Sequence, residues 1–202
     1  SRAIALKITC NGHLKNISFS FRIFTTDNGG YFPFQISTNG IATTNQPPAN
    51  KLAGGTREYA SDPASVWRHF AVLSNELSVP VILYCPADRE RSAATDWAQF
   101  TNNRFLSYTL GLTTSWEDPQ GILSSDRNLL LDGMPLTNAM VTLRSNSNLA
   151  LDRRIHVDPR TRAESGNLLL GDGSVHQISS AFLREITRGA IMAGRPQQLV
   201  IP

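Results

Sequence analysis

Apolar residues at the start of the chain fall on one side of a helix. Cys10, Leu14, Ile17, Phe21 and Phe24 recur at spacings of four, three, four and three, the signature of a single buried helical face. Ala3 continues the stripe one heptad earlier, while Arg2, Lys7, Lys15 and Arg22 lie off it. The helix is predicted to stop at Thr25-Thr26-Asp27-Asn28-Gly29-Gly30, where glycine takes the left-handed C-terminal conformation at little cost. No capping cluster precedes Ser1, so the pattern opens without a start signal.

Further along, Asn45 to Gly55 carries Pro47-Pro48 and Gly54-Gly55 and reads as a surface loop. Asp62-Pro63 supplies an N-cap and a first-turn proline. The stripe Val66, Phe70, Leu73 and Leu77, with Trp67 beside it, then predicts a helix ending before Pro80. Ala93 to Phe100 reads as a short helix with Trp97 and Phe100 inward. Short aliphatic runs at Phe105–Thr113, Ile122–Ser125, Asn128–Leu131 and Ala139–Leu143 predict strands. The clearest hairpin joins Asn167–Leu170 to Ser174–Ile178 through Gly171-Asp172-Gly173. Ala181 to Ala193 predicts a helix, and the tail from Gly194 to Pro202 reads as irregular. A helix first, antiparallel strands later and no βαβ alternation give an α+β class.

At 202 residues, 41% of them hydrophobic and 17% charged, the chain has the size and composition of one folded domain. No apolar run reaches the roughly 18 to 20 residues that span a bilayer. The net charge of +3 is scattered in local pairs such as Arg153-Arg154 and Arg160–Arg162. A nucleic-acid protein would carry a basic stripe with interleaved aromatics, so no nucleic-acid partner is expected.

Catalytic signatures are missing: there is no Gly-x-Ser-x-Gly elbow, His-Glu-x-x-His, phosphate loop or Cys-x-x-Cys. His13, His69, His156 and His176 never sit at metal-ligand spacing with one another. A Ser-His-Asp site needs no fixed order, but nothing selects one, and the expectation is a protein that is not an enzyme, with no catalytic, cofactor or metal residues. Cys10 on the helical stripe and Cys85 after Val79–Tyr84 both point toward one core, which leaves either a bridge or two buried thiols.

Several of these stretches carry a resemblance. Cys10-Asn11-Gly12-His13-Leu14-Lys15-Asn16-Ile17, then Asp27-Asn28-Gly29-Gly30 and Phe32-Pro33, resemble the helix and turn of pseudopilin-like proteins of the prepilin-type cleavage/methylation class. They are most similar to the paralogues of planctomycete and verrucomicrobial bacteria, with their C-x-N-x-L-K-Q-I helix and D-N-x-G-x-F-P turn. The likeness continues through Val66–Phe70, Leu73–Leu77, Cys85-Pro86-Ala87-Asp88, Asp126-Arg127-Asn128 and Gly166–Val175.

The resemblance implies a pilin-like fold, with residues 1–26 as the C-terminal half of a pilin-type helix and 27–202 as a globular head forming one domain with it. It implies a lost N-terminal membrane segment and anchoring in the inner membrane. The domain would then be periplasmic and would partner other pilin-like subunits of a type II secretion or type IV pilus-like assembly. It also implies a disulfide between Cys10 and Cys85, since such bonds persist outside the cytoplasm.

Relatives of type II secretion bind calcium through loop oxygens. Here Asp126, Asp132, Asp152, Asp158 and Asp172 are dispersed, short of the six to eight clustered oxygens calcium takes, so no cofactor is expected, with calcium as the alternative. Many relatives carry a His followed by nine residues and then Asp-Gly. Here that position is Arg162, with His156 six residues earlier, and Asp172 reads as a turn residue. The alternative role is a surface-displayed ligand- or glycan-binding module on a pilin-like anchor, with Trp116 in the loop Thr113–Pro119 as the contact residue.

Overall fold

A computed structural model describes residues 2–40 and 54–202. Of the expected loop at 45–55, only Gly54 and Gly55 fall within the described residues.

Helix α1 runs from Arg2 to Asp27. Its stripe is buried as the spacing requires: Cys10, Leu14, Ile17 and Phe21 are wholly inaccessible and Phe24 nearly so. Each such aliphatic or aromatic side chain contributes about 1.5–3 kcal/mol on leaving water. Phe21 packs edge-on against Phe32 and Phe70, with ring centroids 5.7 and 5.8 Å away. The first two turns stand largely clear of the core, with Arg2 to Ala5, Ile8 and Thr9 exposed. At the other end Gly29 and Gly30 have φ of 65° and 90°. The Gly30 amide closes the last turn on the Thr25 carbonyl at 2.7 Å, and the Asn28 side chain caps the Phe24 carbonyl at 2.8 Å. No helix among the described residues is long and apolar enough to cross a membrane.

Two short helices follow, α2 (Val66–Ala71) and α3 (Ser74–Leu77). The single helix expected over this stretch is therefore broken, yet Val66, Phe70, Leu73 and Leu77 all stay buried on one side. The apolar run Val79–Tyr84 that leads to Cys85 holds a 3-10 turn at Pro80–Leu83. Pro80 at its first position presets the backbone angle for that turn. Ala93–Phe100 is a chain of bends and turns rather than a helix.

Among the described residues, ten short strands make three antiparallel sheets: β1 (Leu110–Gly111), β2 (Ile122–Ser125), β3 (Leu129–Leu131), β4 (Met134–Pro135), β5 (Ala139–Leu143), β6 (Leu149–Leu151), β7 (His156–Val157), β8 (Glu164–Leu170), β9 (Val175–Ser179) and β10 (Gln197–Ile201). β8 is the hub of the second sheet, pairing with β2, β7 and β9. Helix α1 packs on this sheet, and the Ser18 hydroxyl donates to the Gly173 carbonyl at the β8–β9 turn, 3.0 Å away. β3 lies between β4 and β6, and β10 between β1 and β5. Helix α4 (Ser180–Met192) follows β9 and is capped by the Ser179 hydroxyl on the Phe182 amide.

The C-terminal tail, expected to be irregular, is thus a central strand. Its three consecutive apolar residues, Leu199, Val200 and Ile201, are buried on both faces of their sheet, a pattern without alternation that a half-exposed strand would not show. The architecture is α+β, a long N-terminal helix against small antiparallel sheets.

Candidate functional site

Four segments distant in sequence converge beside the middle of α1. Cys10 of the helix is joined by a disulfide to Cys85, just past the 3-10 turn, with Cα atoms 5.3 Å apart. His156 at the start of β7 brings Nε2 to 3.4 Å from the Cys85 sulfur. Asp126, directly after β2, places Oδ2 3.5 Å from the same nitrogen. Both cysteines and Asp126 are inaccessible, and His156 is 3% exposed. His156 forms part of the wall of a cleft of about 420 Å³, together with Arg2, Leu6, Ala87, Arg89 and Arg154.

Asp126 is held from the far side by Asn167, whose backbone and side-chain nitrogens donate to Oδ2 at 2.7 and 3.0 Å. Its Oδ1 is buried without a partner among the described residues. Burial outweighs the Asn167 hydrogen bonds and lifts this carboxyl to about 7. Burial, reinforced by the Lys7 charge, drives His156 down to about 4, and burial does the same to His69, also to about 4. Near neutrality the pair therefore consists of a neutral imidazole and a carboxyl that readily keeps its proton.

These shifts set a pH dependence. Below its ordinary 3.8 the unfolded Asp126 is protonated too, so its contribution to stability falls as pH rises from 3.8 to about 7. The two histidines act oppositely, their contribution growing as pH rises from about 4 to 6.5. Replacing Asp126 by Asn removes one native-state proton from the balance. The rise of unfolding free energy between pH 4 and 6.5 should then steepen by about 1.4 kcal/mol per pH unit. Urea denaturation of D126N and wild type across that range checks this, and parallel curves would contradict the assigned protonation states.

Next to Asp126 lies Arg127, the largest wholly buried side chain among the described residues. Its Nε and Nη2 donate to the two oxygens of Asp88, both at 2.7 Å, and Nη2 also reaches Glu90 at 2.6 Å. Asp88 is inaccessible, whereas the Glu90 side chain is 55% exposed. Asn128 completes the tripeptide, its side chain donating to the carbonyls of Asp152 and Ser165. Although adjacent in sequence, Asp126 and Arg127 diverge in the fold, one to Asn167 and the other to Asp88 across 39 positions.

No protein-family model, no curated protein and no solved structure matches the chain. Function therefore rests on what the residues themselves do.

The remaining candidates lie apart from this cluster. Trp116 is half-buried rather than free in an open loop. Its Nε1 donates to Thr25 at 2.7 Å, its ring lies 4.9 Å from Phe32, and the Arg22 guanidinium sits 5.3 Å over it. Those contacts tie the 113–119 loop to the end of α1. Asp172 accepts from the Ser174 amide and hydroxyl at 2.8 and 2.6 Å, the turn role its sequence suggests, with Gly173 at φ 88°. His176 meets the Ser174 hydroxyl at 2.8 Å, and His13 meets the Tyr84 carbonyl at 2.9 Å.

Of the other carboxylates, Asp132 accepts from the Asn148 amide, Asp152 from Arg154, and Asp158 from the Arg160 and Thr161 amides. Each belongs to its own turn, and they do not converge. The sequence signals that point to the central cluster are Cys85-Pro86-Ala87-Asp88 and Asp126-Arg127-Asn128, two stretches of the resemblance that carry no functional reading by themselves.

Proposed function

We propose that this chain is the extracytoplasmic part of a pseudopilin-like structural subunit. In this reading it is held at the inner membrane by a segment preceding α1 and works by non-covalent packing against other pilin-like subunits in a type II secretion or type IV pilus-like assembly. The reading makes α1 a pilin-type helix and the rest of the chain its head, in a periplasmic setting.

One observation carries it. Opposite the buried stripe of α1, Ile4, Ile8 and Phe19 are 42, 58 and 66% exposed. Four and then eleven residues apart, they fall within about 60° of one another at 100° per residue, on a face they share with the exposed Lys15 and Arg22. A helix that only packed on its own domain would have no use for three large apolar side chains there. A helix shared between its own head and neighbouring subunits has use for both faces. The Cys10–Cys85 bond suits an oxidising compartment.

The test is the natural, membrane-anchored protein carrying Ile8→Glu and Phe19→Glu together. Both sites are exposed, so the isolated domain should keep its stability within about 0.5 kcal/mol. Assembly into higher-order species should be lost, and unchanged assembly would contradict the proposal.

A further inference from the structure

The geometry points to a metal site: we propose that, when Cys10 and Cys85 are reduced, their thiolates and the His156 imidazole bind a single zinc ion, with a solvent molecule at the fourth corner. The sulfurs and the histidine nitrogen lie within 4.8 Å of one another, all three residues buried. Zinc takes sulfur at about 2.3 Å and nitrogen or oxygen at about 2.0–2.1 Å. A tetrahedron of those bonds has an edge of about 3.5 Å from sulfur to nitrogen. The Cys85 sulfur lies 3.4 Å from His156 Nε2, so one edge of the coordination polyhedron is in place. Loading then requires the two sulfurs to separate once their bond is broken.

Charge agrees with the assignment. Two thiolates alone in this dry setting would be costly, but with a divalent cation they form a neutral unit. The chemistry balances without an unnamed reagent. A dithiol reductant gives two electrons and two protons to the Cys10–Cys85 bond and becomes a cyclic disulfide. Zinc then replaces the two thiol protons, which leave to solvent. Of the three ligands, His156 lines the cleft. This inference is independent of the pilin reading, because it concerns the chain folded with its cysteines reduced, whatever the chain assembles into.

The whole chain, unfolded, reduced with dithiothreitol, desalted without oxygen and refolded with cobalt(II), is the test. One equivalent should bind, with a sulfur-to-cobalt charge-transfer band and the visible bands of a tetrahedral ion. His156→Ala should weaken binding by more than about tenfold, the scale at which even outer-shell partners of metal ligands act. X-ray absorption of the zinc-loaded wild type gives a reading that does not depend on the variant folding. It should show two sulfurs at about 2.3 Å with an imidazole at about 2.0 Å. No uptake by the reduced chain, equal affinity in H156A, or a sulfur shell without imidazole would each overturn the proposal.

Discussion

Replacing both Cys10 and Cys85 by alanine should cost this domain about 4 kcal/mol, the chain-entropy value for a cross-link closing a loop of roughly this length. The bond ties α1 to the 3-10 turn across a sequence separation of 75, so its loss frees much of the unfolded N-terminal half. For a domain of this size that is a fall of about 8–16 °C in Tm. Thermal unfolding followed by circular dichroism, wild type against C10A/C85A, measures it. The two sulfurs are wholly buried, so the variant also leaves small voids, and a drop below about 1 kcal/mol would show that the cross-link constrains little.

Arg127→Met is expected to be as damaging for a different reason. The substitution strands Asp88 as a buried carboxylate without its bidentate partner, a situation that costs about 3–5 kcal/mol. Little of the effect should come from Glu90, which is exposed. The double variant R127M/D88N should recover part of the loss, because the uncompensated charge disappears with its partner. Urea unfolding of the four proteins gives the coupling. If the double variant were as unstable as the two single losses added together, the pair would not be acting as a unit.

The helical parts of the fold are legible because their signal is local. Five residues at helical spacing in α1, with Asp27-Asn28-Gly29-Gly30 as the stop, define both the buried face and the end of the helix. The β8–β9 hairpin is equally local, its turn chemistry fitting Asp172 and Gly173. What is hidden depends on partners far away. Leu199–Ile201 pairs with residues near 111 and 140, and a triplet between two prolines carries no alternation to announce a strand. Val79–Tyr84 is apolar enough for a strand, but Pro80 and the pull of Cys85 toward α1 set a tighter turn.

The central cluster was only partly visible for the same reason. The cysteine pair follows from the resemblance, and burial of Cys10 from the stripe. His156, however, sits in a polar stretch, Asp152-Arg153-Arg154-Ile155-His156, that reads as loop. Only β7 pairing with Ser165 and Glu164 carries it to the disulfide. Asp88 and Arg127 likewise look like surface charges until the fold removes both from water. Ile4, Ile8 and Phe19 share their side of the helix with Lys15 and Arg22, so the sequence shows no second stripe beside the stronger one.

That exposed face is the point on which the functional account turns. The most direct measurement is oxidative cross-linking of Phe19→Cys in the natural, membrane-anchored protein in its own cells, beside Met192→Cys on α4, which is 77% exposed. The account predicts cross-linked dimers through position 19 and none above background through position 192. Monomers only, or equal cross-linking at the two positions, would contradict a subunit that packs through its first helix.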